Sequence, residues 1–252
     1  MNAGDEAVGV PPPRRGQGGG KKRRVLADAV VVDIEGTTSP TTSVRDDLYG
    51  YARQRLGSWL AGGGAAEEVI TQTRDLADRP DADAAAVTEI LCGWLDSDVK
   101  AEPLKTAQGL ICAEGFRSRA LYGEFFPDVP PALATWHAVG ITLFVFSSGS
   151  VRNQQDWFTH TRRGSLSSLV SGWFDLNAAG GKLESASYDK IADTIGLPGG
   201  KILFLTDHPG ELDAAVAAGW QAVGVARPGE PNSPRPPHIW ISTFDEIDVH
   251  RL

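Results

Sequence analysis

The chain has 252 residues, with 32 acidic against 24 basic side chains and a formal net charge of −8. Its 41% apolar and 22% charged content excludes wholesale disorder, collagen-like repeats and a coiled-coil rod, and its length suits one large domain or a core with a smaller insert. The acidic excess repels a phosphate backbone at long range, so no nucleic-acid partner is expected.

Residues 1–24 are expected to form a disordered basic tail. They contain Pro11-Pro12-Pro13, Gly18-Gly19-Gly20 and Lys21-Lys22-Arg23-Arg24, with too few apolar side chains to offset the entropy of ordering. Order begins at Ala27-Asp28-Ala29-Val30-Val31-Val32-Asp33, a β-branched run ending on a carboxylate, which reads as a buried parallel strand. The next run of that quality is Ile141–Phe146. Between them, Asp46–Leu60, Ala65–Ala77 and Ala84–Leu95 have helix-forming composition and helical spacing of apolar residues. Beyond Phe146 a regular alternation follows: helix Ser150–Phe158, helix Ser187–Ile195 closed by Gly196, strand Ile202–Asp207, helix Glu211–Ala218 and strand Gln221–Ala226. Alternating strands and helices predict an α/β fold with a parallel sheet flanked by helices. The helical stretch is then an insert after the first strand.

Two cysteines, Cys92 and Cys112, form no CxxC pair, and the histidines at 137, 160, 208, 238 and 250 have no zinc-site spacing. Reduced thiols are expected, without a disulfide framework or zinc. No apolar run approaches the roughly 18 residues of a membrane span, and the first residues lack the apolar centre of a signal peptide. A cytoplasmic protein without a membrane partner is expected.

Three apolar runs end in polar groups: Val32 on Asp33, Phe146 on Ser147-Ser148-Gly149-Ser150, and Leu205 on Thr206-Asp207. In a parallel sheet such tips lie side by side, at the edge where α/β proteins bind ligands. Lys182 falls between the second and third. Each element alone has an ordinary structural explanation, such as a turn, a helix cap or a solvated lysine. Together they supply a nucleophilic carboxylate, carboxylates for a divalent cation, and hydroxyl and ammonium donors for phosphate oxygens.

The order Asp33-Ile34-Glu35-Gly36-Thr37-Thr38, Ser147-Ser148-Gly149-Ser150-Val151, Lys182 and Phe204-Leu205-Thr206-Asp207 resembles the haloacid dehalogenase-like phosphohydrolases. With Glu35 where most of those enzymes carry a second Asp, the first hexapeptide is similar to the enolase-phosphatases of methionine salvage, or acireductone synthases. Leu104-Lys105, Gln108-Gly109, Ile111, Phe174-Asp175, Gly181-Lys182, Ser187-Tyr188, Lys190-Ile191 and Arg227-Pro228-Gly229 extend the likeness over about residues 28–230.

The resemblance implies a Rossmann-like core over 25–45 and 131–252 and a helical cap over 46–130. It implies Asp33 as nucleophile and magnesium ligand, with Glu35 and Asp207 completing the metal site. Ser147 and Ser148 would hold the substrate, and Lys182 would neutralise its phosphate. Glu35 is left open between catalytic base and ligand. The implied reaction enolises 2,3-diketo-5-methylthiopentyl 1-phosphate and dephosphorylates it to acireductone. A monomer acting on a small phosphorylated metabolite is expected.

Ser43, Cys112, Leu176 and Glu230 depart from the family's text. Ser43 and Cys112 replace large aromatics, and on that ground another phosphorylated metabolite remains an alternative, as does a noncatalytic phosphate-binding protein on the same fold. The seven tryptophans are assigned to packing, His208 to a loop without a required duty, and Glu211 and Asp213 to the helix dipole at a helix start.

Overall fold

The structure is a computed structural model that describes residues 22–97, 99 and 101–252; the proline and glycine triplets and Lys21 lie outside the described residues. Strand β1 (Arg23–Leu26) opens the described chain and pairs in parallel with the C-terminal strand Ile247–His250. The expected tail thus ends too late, because Arg23 and Arg24 belong to this strand. They point their charge outward while Val25 is buried with Ile247 and Val249, a contact invisible in a run of four basic residues.

Strand β2 (Ala29–Val32) is buried along its whole length. Its neighbours are β3 (Thr142–Phe146) and β5 (Ile202–Thr206), with Val30 opposite both Leu143 and Leu203. The sheet continues outward through β4 (Val170–Phe174) on one side, and through β6 (Gln221–Val225) and β7 (Ile239–Ile241) on the other. Its order is β4-β3-β2-β5-β6-β7, all parallel, and the terminal strand is β8 (Ile247–His250). The chain lays down β2, β3 and β4 in one direction, then returns to the centre and builds β5, β6 and β7 in the other. At such a reversal the loops leaving the two central strands diverge and open a crevice at the carboxyl edge. Asp33 follows β2 and Asp207 follows β5, so the two acids flank it.

Residues alternate between faces along each strand. Val30, Val32, Leu143, Val145, Leu203 and Leu205 face one core with α5 (Val129–Ala138) and α6 (Val151–Thr159), where Trp136 and Trp157 are buried. Val31, Phe204 and Phe146 face the other, with Tyr188 and Ile191 of α7 (Ser185–Ile195) and Ala214 and Ala215 of α8 (Pro209–Ala217). Gly196 ends α7 in the left-handed region at φ 76°, as a helix-terminating glycine does.

Between β2 and α5 lie a π-helical stretch, Ser43–Tyr49, running into α1 (Gly50–Leu60), then α2 (Ala65–Leu76), α3 (Ala84–Asp96) and α4 (Glu102–Arg117). Asp83 caps α3 by accepting from the Ala86 amide at 2.8 Å. Ala52, Leu56 and Leu60 of α1, Val87 and Leu91 of α3, and Leu104, Ala107 and Ile111 of α4 form the apolar stripes that hold these helices together. The chain rejoins the core before residue 131: the Phe126 amide already donates to Thr38 O at 3.0 Å, and Asp128 accepts from Arg227 at 2.7 Å.

Candidate active site

Asp33 is 5% exposed and Asp207 6%. The tight turn after β2 folds back on itself, with the Thr37, Thr38 and Ser39 amides all reaching Ile34 O. Thr38 Oγ1 donates to Asp33 O at 2.9 Å. Thr37 Oγ1 joins the acids: it donates to Asp33 Oδ2 at 3.3 Å and accepts from the Asp207 amide at 2.9 Å. Gly36 has φ 72°, and a Cβ there would stand 2.2 Å from Asp207 Oδ2. Glycine is therefore required twice over, for the turn and for the closeness of the two loops.

Lys182 fills the space between the carboxylates. Its Nζ lies 2.6 Å from Asp33 Oδ1 and 2.8 Å from Glu211 Oε2, with both rings of Phe146 and Phe204 nearby. The start of α7 holds its loop: Tyr188 Oη donates to Lys182 O at 2.8 Å, and Ser187 Oγ to Gly181 O at 2.7 Å. Burial works against the ammonium, but Asp33 and Glu211 outweigh it and raise its pKa above that of an ordinary lysine. It is a fixed cation. Glu211 also accepts from Thr206 Oγ1 at 2.7 Å; burial pushes its carboxyl upward against the pull of Lys182. Glu211 sits in the first turn of α8, as its helix-dipole assignment requires, but that assignment missed its second duty as an anchor for Lys182.

Burial, then the charge of Asp33, pushes Asp207 up to about 7, although Asn232 Nδ2 donates to its Oδ2 at 2.7 Å. The crevice thus holds three acids and one ammonium. Its hard oxygen donors suit a divalent cation such as magnesium, since one ammonium balances only part of the charge of three acids. The Glu35 carboxylate, two residues after Asp33, lies 2.6 Å from Arg45 Nε in the π-helical stretch. Among the described residues no three acidic, histidine or cysteine side chains form a ready metal-binding group.

The tip of β3 carries Ser147, whose amide donates to Phe174 O at 3.2 Å, and Ser148, which lines a cavity of about 230 Å³. Lys105, Thr106 and Leu110 of α4 form one wall, facing Ser148, Asp175 and Leu176. Asp33, Asp207 and Glu211 lie outside it. Cys112 is buried, with its Sγ 3.7 Å from Leu48 O, and is absent from the lining. It does not shape the cavity, contrary to what its place in the sequence suggested, and Ser43 is likewise absent from the lining.

Of the residues singled out in the sequence, the fold brings Asp33, Ser147, Ser148 and Asp207 to strand tips, sets Lys182 on the loop before α7 against Asp33, and pairs Glu35 with Arg45. Sequence reasoning missed Thr37, Glu211, Asn232 and Arg227. Arg227 is buried against Phe126 and Phe244 and donates from Nε to Thr37 O at 3.0 Å, holding the nucleophile's turn from behind. The Arg227-Pro228-Gly229 match was the available signal for it.

Comparison with known proteins identifies the family. Residues 27–219 match the model of the haloacid dehalogenase-like hydrolases. A Nocardia farcinica protein named Enolase-phosphatase E1 is 63% identical over 228 residues, covering 90% of this chain and 98% of that one. A Streptomyces avermitilis protein of the same name is 52% identical over 207 residues, covering 81% and 87%. The crystal structure of the UTR4 protein of Saccharomyces cerevisiae superposes with a TM-score of 0.74 at 26% identity, covering 87% of this chain and 99% of that one. With a haloacid dehalogenase-like model matched over 27–219 and a relative 63% identical over 90% of this chain's length, the chain belongs to the enolase-phosphatases of the haloacid dehalogenase-like hydrolases.

Proposed function

We propose that this protein is the enolase-phosphatase of methionine salvage, enolising 2,3-diketo-5-methylthiopentyl 1-phosphate and then dephosphorylating it to acireductone, 1,2-dihydroxy-3-keto-5-methylthiopentene. The observation that carries this is the Asp33–Lys182–Glu211 chain beside Asp207, in a sequence 63% identical to an Enolase-phosphatase E1.

In the phosphatase half, an Asp33 carboxylate oxygen attacks phosphorus. The ester P–O bond breaks, its electron pair leaves with the substrate's terminal oxygen, which takes up a proton, and an aspartyl phosphate remains. Water then attacks that phosphorus and returns Asp33. Lys182, tethered by Glu211, keeps Asp33 aimed and offers an ammonium to the phosphate oxygens; Ser147 and Ser148 offer hydrogen bonds from the next strand tip. Asp33 and Asp207 would hold a magnesium ion, which supplies charge neutralisation to the phosphate and the developing enolate when bound. Glu35, paired with Arg45, serves either as the base that takes the C–H proton or as a third ligand.

The cavity beneath α4 leaves room for the methylthio end of the substrate, with Leu110 and Leu176 as apolar walls. Because Ser43 and Cys112 do not line it, nothing in the site favours a different metabolite. Retention of a nucleophile, its lysine and a second acid speaks against a noncatalytic binding protein. We assign the protein to the cytoplasm, where its two free thiols would stay reduced.

The test is to incubate the protein and magnesium with the diketo phosphate, following enol absorbance and phosphate release separately. Both signals are expected. Phosphate release from other esters but not from this one would overturn the substrate assignment, and silence toward all phosphate esters would overturn the reaction.

A further inference from the structure

Gln154, in the first turn of α6, has no part in the chemistry above, yet it is 1% exposed and lies directly behind the serine loop. Its Nε2 donates to Gly149 O at 2.8 Å and Phe174 O at 2.9 Å, with Ser147 O at 3.4 Å. One amide nitrogen thus gathers carbonyls from the tips of both β3 and β4. Its Oε1 is buried without a partner among the described residues. A buried unsatisfied acceptor is destabilising, so the side chain is not explained by packing alone and is better explained by what its nitrogen holds.

Peptide planarity says what that is. In a trans peptide the carbonyl of one residue and the amide N–H of the next point in opposite directions. Drawing the Ser147 and Gly149 carbonyls toward Gln154 turns the Ser148 and Ser150 N–H groups away from it. Neither amide donates to any group among the described residues, and both residues line the cavity from its β3 side, next to the strand that ends in Asp33. The loop is braced on its other side by Asp175, whose Oδ2 accepts from the Val151 amide at 3.3 Å while Oδ1 accepts from Asn177 and Ala178.

We propose that Gln154 is a positioning residue of the phosphate site: an amide clamp that holds the Ser147–Ser150 loop with its free N–H groups turned toward the substrate's phosphate. The clamp rests on the serine loop being the phosphate site, as proposed above. Only an amide serves well at this position. A carboxylate would set an anionic oxygen against three carbonyls, and an apolar chain would release them.

The test uses the full chain with magnesium, inorganic phosphate as ligand, and Gln154→Met, which keeps the volume but removes the donor. Phosphate Kd by calorimetry should weaken about tenfold, or ~1.4 kcal/mol. In turnover of the diketo phosphate, KM should rise by a similar factor with kcat within about twofold, as for an interaction made equally in ground and transition states. Unchanged Kd and KM, even with a lowered Tm, would leave Gln154 a packing residue and overturn the clamp. In the wild type, hydrogen exchange of the Ser148 and Ser150 amides should slow when phosphate is added. Absence of that slowing would overturn the clamp even if Gln154→Met does not fold. A wild type that binds no phosphate would overturn the phosphate site itself, whereas phosphate binding without turnover of the diketo phosphate would count against the substrate alone.

Discussion

The crevice between β2 and β5 and the cavity beneath α4 lie one strand apart and are built in opposite ways. In the crevice every charged group is already engaged: Lys182 by Asp33 and Glu211, Asp33 by Thr37, Asp207 by Asn232. In the cavity, no side-chain hydrogen bond or ion pair among the described residues joins Lys105, Thr106 or Leu110 to the loops opposite. The difference follows from what each must do. Phosphoryl transfer needs donors fixed before the charge develops, whereas the tail of a substrate needs only a shaped, partly apolar space that opens and closes. Fixed polar chemistry on the core and a loose wall on the insert is one division of labour within one site.

Substitutions can break that contrast, and Asp33→Asn should have the largest effect. It removes the nucleophile with little change in shape, and phosphate release should fall by about 10⁴-fold or more, as read by a colorimetric phosphate assay. Lys182→Met comes next. It leaves Asp33 and Glu211 buried without their ammonium, at a cost of about 3–5 kcal/mol in urea denaturation, and phosphate release should fall by about 10²–10³-fold.

Asp207→Asn should separate activity from stability. The Asp207 pKa rises from 3.8 to about 7 on folding, so its contribution to stability is complete below pH 3.8 and is lost as pH climbs toward 7. At pH 8 the metal-free folded state therefore carries the full penalty, which the amide escapes. At roughly 1.4 kcal/mol per pH unit, the variant should be about 2–4 kcal/mol more stable than the wild type in metal-free buffer at pH 8, with no gain at pH 4 and no turnover at either. Equal stability at pH 8 would show that Asp207 is not a strained acid. Leu110→Ala, on the cavity wall, should be the mildest: KM for the diketo phosphate rises about two- to tenfold, while Kd for inorganic phosphate and Tm stay put. A loss of phosphate binding there would erase the contrast between the two regions.

Asp33 and Asp207 were legible because a buried parallel strand announces itself by its β-branched run, and whatever ends it stands at the carboxyl edge. Lys182 was legible through its order between motifs. Glu211 was hidden because an acid at a helix start already has an adequate local explanation, and only the approach of the Lys182 loop reveals the other. Gln154 was hidden likewise, since nothing in Val151-Arg152-Asn153-Gln154 says which polar side chain turns inward. Strand β4 escaped because Ser171 and Gly172 break its apolar run, and Gly172 is there for a tertiary reason: a Cβ would stand 2.9 Å from the Phe144 ring. Helix α4 carries Pro103, Gly109 and Gly115, which dilute its pattern; Gly115 makes room for Tyr51 and Leu121.

Charge separates in the same local way. The first 24 residues hold six basic and two acidic side chains, which leaves the other 228 at −12. A body that acidic accepts an anionic ester only where local positive charge, such as that of Lys182, reverses the field.

The most direct test of the central claim is to quench the protein with acid during turnover of the diketo phosphate and locate the phosphoryl group by peptide mass analysis. It should sit on Asp33. A phosphoryl group on any other side chain, or phosphate release by Asp33→Asn at the wild-type rate, would contradict the account.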